Sequence, residues 1–118
     1  MSKLIGSLCF LMVVSVAWAD VPRVVDVVLK RSGNTWRVNV TLEHGDTGWD
    51  HYADGWEIRA PDGTELGYRK LHHPHVKEQP FTRSLSGVTI PEGTEFITVH
   101  GHDSVHGWSA DVFRLDLP

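Results

Sequence analysis

Apolar and polar residues alternate along most of this chain. Trp36, Val38, Val40 and Leu42 are interleaved with Arg37, Asn39, Thr41 and Glu43, the pattern of a strand with one buried and one wetted face. Val25, Val27 and Leu29 form a similar set before it, and Trp56, Ile58 and Ala60 another after it. Further strands are expected at about residues 65–71, 81–88, 95–102 and 110–117. No stretch carries a helical period. Ser32-Gly33-Asn34, Pro61-Asp62-Gly63 and Pro91-Glu92-Gly93 supply turn chemistry between the strands. Seven short strands joined in this way predict an all-β fold, a seven-stranded antiparallel immunoglobulin-like sandwich.

Two segments carry resemblances. Ile90-Pro91-Glu92-Gly93-Thr94-Glu95-Phe96 resembles the corner before the sixth strand of fibronectin type III domains, with Phe96 in place of the usual tyrosine. That resemblance implies an architecture and no activity. The stretch from His73-Pro74-His75 through Phe81 to Leu85 is similar to one in short exported Gram-negative proteins of uncharacterised role, which implies the periplasm.

The first residues have the three regions of a secretory signal: Lys3, the apolar run Leu4 to Val16, and Ala17-Trp18-Ala19 as a small-residue cleavage site. Residues 1–19 are expected to be a signal peptide cut after Ala19, and residues 20–118 a mature β-sandwich domain, periplasmic or secreted. The apolar run is shorter than the roughly 20 residues that span a bilayer, so no membrane insertion is expected after cleavage. Cys9 lies inside that run rather than at the cut, which argues against lipid attachment there. Cleavage removes Cys9, Met1 and Met12, and a domain starting at Asp20 has neither a sulfur ligand nor a disulfide.

The whole chain carries a formal charge of -4, and loss of Lys3 makes it more negative. With acidic and basic residues interspersed, this balance disfavours nucleic acid as a partner. Histidine is the compositional outlier, at eight residues. If consecutive strands run up and down, the second, fourth and sixth connections share one end. Those connections, residues 44–55, 72–80 and 102–109, hold His44, His51, His72, His73, His75, His102 and His106, with Asp46, Asp50, Asp54, Glu78 and Asp103. The opposite end has no histidine.

Imidazoles and carboxylates without sulfur suit Zn(II) or Cu(II). His100 and His102 point to one face of a strand, and the stiff His73-Pro74-His75 offers further imidazoles. The expected ligands are therefore His73, His75, His100 and His102, with His72 and His106 behind them. Asp46, Asp50 and Asp54 do not have the spacing of an EF-hand loop. An Asp20-Val21-Pro22 terminus excludes copper sites built on N-terminal histidines. Trp36 and Trp56 have the phase of core residues, whereas Trp49, Tyr52 and Trp108 lie in predicted loops and are candidate partner-binding residues. Ser104 and Ser109 stand near histidines without a nucleophile elbow.

The leading reading is an exported binding or accessory module that is not an enzyme, holding an ion or meeting a periplasmic protein partner through its histidine-rich pole. A metal-free module contacting protein or glycan is the first alternative, and a small metal-dependent enzyme the second. Whether Arg83 and Glu78 pair structurally or join the site is open at this level.

Overall fold

The computed structural model describes residues 21–118; the expected signal segment, its cleavage site and Asp20 lie outside the described residues. The seven strands are β1 (Arg23–Ser32), β2 (Thr35–Glu43), β3 (Ala53–Arg59), β4 (Glu65–Lys70), β5 (Phe81–Val88), β6 (Phe96–Asp103) and β7 (Gly107–Asp116). They form a three-stranded sheet in the order β1-β2-β5 and a four-stranded sheet in the order β4-β3-β6-β7. Every pairing is antiparallel. The all-β, seven-stranded class expected from the alternation is what the chain adopts.

The core lies between the sheets. Val38, Val40 and Leu42 of β2 meet Trp56 and Ile58 of β3 and Ile97 and Val99 of β6, all buried. Each such side chain contributes about 1.5–3 kcal/mol by leaving water, so the inward phase of β2 and β6 is strongly specified. On β1 that phase breaks. Val24 and Val27 are buried while Val25 is only half-buried, because the β1–β2 register shifts between Val24 and Asp26. An extra residue at such a bulge turns the chain over, so a strict alternation through Val25, Val27 and Leu29 does not hold. Trp36 packs at the core margin rather than inside it, with the Arg31 guanidinium 5.0 Å from its ring centre.

A second difference lies at the last connection. β7 begins at Gly107 rather than near residue 110, so the loop shrinks to residues 104–106 and Trp108 sits in a strand. Gly107 has φ +78, a left-handed conformation that glycine adopts without steric cost and that closes this short hairpin.

The three connections of the histidine-rich end meet through hydrogen bonds. Leu71 N donates to Asp54 O at 2.9 Å and Ser104 N to Tyr52 O at 2.9 Å. Gln79 ties two loops at once: its Oε1 accepts from His44 N and its Nε2 donates to His75 O, both at 2.9 Å. Backbone groups that leave the sheets are satisfied by neighbouring loops, and the pole is a packed structure.

Candidate metal centre

β2 runs Val38, Val40, Leu42 inward, and the next position of that phase is His44. β6 runs Ile97, Val99, Gly101 inward, and the next is Asp103. Both strands therefore end by pointing a polar group into the top of the core, where His44 and Asp103 are buried. The β2–β3 loop folds back through a Gly48–His51 bridge and brings His51 over them. His44, His51 and Asp103 each offer a ligand atom, and these atoms lie within 4.8 Å of one another. It is the one such group of three among the described residues.

The geometry of this cluster is fixed from behind. Asp46, wholly buried, accepts from His44 Nδ1 at 2.5 Å and Ala53 N at 3.0 Å through Oδ1, and from His75 N at 2.7 Å through Oδ2. With Nδ1 anchored on a carboxylate, His44 turns Nε2 toward Asp103, 3.6 Å from Oδ2. A carboxylate behind an imidazole is the usual way of fixing the tautomer and orientation of a metal-binding histidine. His51 Nε2 lies 3.5 Å from Asp103 Oδ1, and its ring meets that of His44 edge-on at 4.8 Å.

Asp103 is held in turn by its own hairpin. Its Oδ1 accepts from Val105 N at 2.8 Å and His106 N at 2.5 Å, while His106 Nδ1 stands 3.3 Å from Oδ2. Burial opposes its charge, but the amides of His106 and Val105, the His106 ring and the nearby His51 outweigh it and hold its pKa below the ordinary 3.8. Asp46 behaves alike: burial opposes its charge, and the His44 side chain with the amides of His75 and Ala53 prevails, so its pKa is also lowered. Both carboxylates are therefore anionic at neutral pH, as ligation and orientation require. His51 is partly exposed and His106 more so, and their ring centres lie 5.0 Å apart.

The expected ligands fall elsewhere, apart from His106 at the rim. His75 stacks on Phe81 at 3.9 Å, and its Nε2 accepts from Arg83 Nη2 at 2.9 Å. Burial, then Arg83 and His73, push its pKa down, so the ring is neutral at pH 7, with Nε2 taken by Arg83 and Nδ1 buried without a hydrogen-bond partner. His73 sits beside it at 4.7 Å between ring centres, and His72 is exposed. Arg83 also reaches Glu78 at 3.4 Å, so that pair belongs to the His75 side of the loop. His100 and His102 do share the outer face, but each is bound separately. His100 Nε2 bonds Thr98 Oγ1 at 2.9 Å, while His102 Nδ1 bonds Asp54 Oδ1 at 2.5 Å and its ring meets Trp108 edge-on.

The aromatic candidates form two groups. Trp49, the most exposed large apolar residue at the pole, packs edge-on against Tyr52 at 5.5 Å, whereas Trp108 lies by Tyr68 and under the Arg59 guanidinium. Ser104 and Ser109 spend their hydroxyls on the backbone amides of Tyr52 and Asp111.

No protein-family model matches the chain. A curated relative from Halomicrobium mukohataei, whose description reads "Putative lipoprotein", is 43% identical over 94 residues, 79% of this chain and 46% of the relative. The chain thus spans about half the length of the curated relative it matches. Two solved structures share the fold. Hypothetical protein PH1083 from Pyrococcus horikoshii OT3 superposes with a TM-score of 0.54 at 15% identity, over 83% of this chain and 88% of that one. A superoxide reductase in the oxidized state gives 0.54 at 14% identity, over 84% and 90%. Likeness at these identities speaks for the fold alone.

Proposed function

We propose that this chain is an exported metal-binding domain that holds one divalent first-row ion through His44, His51 and Asp103, with His106 at the open rim. The observation that carries this reading is the convergence of two imidazoles and an anionic carboxylate within 4.8 Å, with Asp46 orienting His44 from behind. Two histidines and one carboxylate with remaining positions open suit Fe(II), and the same N/O donors accept Zn(II) and Cu(II). Export is supported by the signal-like first residues and by a relative described as a lipoprotein.

A bound ion would supply Lewis acidity or, if iron or copper, one-electron exchange. The residues of this chain fix the donors, with Asp46 orienting His44 and the β6–β7 hairpin holding Asp103. The fold shared with a superoxide reductase favours a second reading, in which the iron-loaded protein reduces a small oxygen species; a superoxide-consumption assay on metal-free and iron-loaded protein separates it from simple ion capture.

The direct test is calorimetric titration of chelator-treated protein with Fe(II) under anaerobic conditions, then with Zn(II) and Cu(II). One ion per chain is expected at micromolar Kd or tighter, abolished by His44→Ala and His51→Ala and unchanged by His73→Ala and His102→Ala. Affinity falls as pH drops, because protons compete for the imidazole nitrogens. Binding no tighter than about millimolar, near 4 kcal/mol, or binding indifferent to His44 and His51, refutes the proposal.

A further inference from the structure

β4 and β5 each form one edge of their sheet and face one another across one side of the sandwich, where Arg69 of β4 reaches across to donate from Nη1 to Ser84 O at 3.2 Å. Beside this crossing lies an open cleft of about 470 Å³ lined by Arg37, Arg69, Arg83 and the β5 residues Thr82 to Ser86. Three arginines line it on a protein whose net charge is negative.

Their partners are incomplete. The arginine ion pairs among the described residues take up Arg23, Arg59, Arg83 and Arg114, and neither Arg37 nor Arg69 is among them. Among the described residues, Arg37 Nη1 donates to the Ser86 hydroxyl, at 3.2 Å. Arg69 Nε is buried without a hydrogen-bond partner. The residue opposite Arg69 in the β3–β4 register is Trp56, whose indole N–H is buried and without a partner too. Buried N–H groups without acceptors are costly and rare in folded proteins, and that of Arg69 belongs to a residue that lines the cleft.

We propose that this cleft is an oxyanion site, taking a phosphate-type group either free or on a lipid headgroup, with Arg37 and Arg69 as its principal donors. The two guanidinium groups are anchored on Ser84 and Ser86, about 7 Å apart along an extended strand. A single oxyanion accepting a charge-assisted bond of about 2.8 Å from each side covers that span. Arg83, already shared between Glu78 and His75, adds charge at one end. The planar fork of arginine matches phosphate oxygens in a way that lysine does not. This site is independent of the metal centre and uses none of its residues.

Nitrogen-15 NMR titration of the purified protein with sodium phosphate, against sodium chloride of equal ionic strength, is the test. Saturable shifts are expected at Arg69 Nε–H and the amides of Ser84 and Ser86 with phosphate alone. Arg37→Ala, an exposed position that leaves the fold intact, weakens binding about tenfold, and Arg69→Lys does so while keeping the charge. A second arm sediments the protein with vesicles of phosphatidylglycerol and phosphatidylcholine, against phosphatidylcholine alone. Saturation by free phosphate assigns a soluble oxyanion. Arg37-dependent vesicle binding without phosphate saturation assigns a headgroup. Shifts identical in chloride, or Arg37→Ala matching the parent protein in both arms, overturn the proposal.

Discussion

Asp46 is the residue whose loss should be felt most widely, because its buried carboxylate is the common acceptor for three segments: His44 after β2, Ala53 at the start of β3, and His75 in the β4–β5 loop. Asp46→Ala leaves two backbone N–H groups and one imidazole N–H facing a small cavity. A buried donor deprived of its acceptor costs about 1–3 kcal/mol, and breaking a buried charged pair about 3–5 kcal/mol. Because these overlap at one site, about 4 kcal/mol is the expected loss. Domains of this size have total stabilities of about 5–15 kcal/mol, so the variant stands at the edge of folding.

Asp46→Asn keeps the shape and one acceptor but turns an NH₂ toward a backbone N–H, at a cost of about 2 kcal/mol. Urea unfolding followed by tryptophan fluorescence measures both. The pH dependence provides the sharper check. The pKa of Asp46 is lowered in the folded state, so its stabilisation is present above the unfolded value near 3.9 and is lost as pH falls through the folded one. The gap between parent and Asp46→Asn should therefore narrow below pH about 4. A loss under about 1 kcal/mol for Asp46→Ala, which is ordinary for a surface change, or a gap that is flat in acid, refutes the assignment of Asp46 as the organiser of the pole.

Other outcomes follow from the same contacts. His75 and His100 have lowered pKa values, in both cases first because of burial; their neutral forms stabilise the fold fully above pH about 6.5, and that contribution falls as pH drops from there toward the folded values. Thermal melts across pH 7.5 to 5 check this, and His75→Phe should flatten part of the slope. Gly107→Ala forces a side chain into φ +78, costing about 1–2 kcal/mol, and should weaken metal binding by displacing the hairpin that carries Asp103 and His106. Gly101→Ala places a methyl 2.8 Å from Pro22 Cβ and should lower the urea midpoint by pushing the first described residues away from β6.

Much of the fold was legible because burial is periodic: Trp36 to Leu42 and Ile97 to Gly101 announce their strands and their inward faces. β1 misled because a bulge between Val24 and Asp26 leaves no mark on composition. β7 misled because Gly107 closes a hairpin so tight that residues expected in a loop are paired. The histidine-rich pole was also visible, since connection parity needs only the strand count. Choosing its ligands was harder. His44 and Asp103 extend the inward phases of β2 and β6, a signal present in the alternation, yet outward-facing pairs such as His100 and His102 look more like chelators on paper. Their capture by Thr98 and Asp54 depends on which strands become neighbours, which one chain read in order does not reveal.

His102 and Asp103 are adjacent on β6, one facing out toward Asp54 and the other in toward His44. A slip of one residue between β3 and β6 would exchange them, turning the carboxylate out to Asp54 and the imidazole inward. Two carboxylates would then face each other on the outer surface, and three imidazoles would crowd the interior with Asp46 as their one anion. The ionic arrangement thus acts as a key that only one alignment of the two central strands fits, so β6 can be tested for misalignment by charge alone: exchanging Asp54 for lysine should loosen the choice of register before it unfolds the sheet.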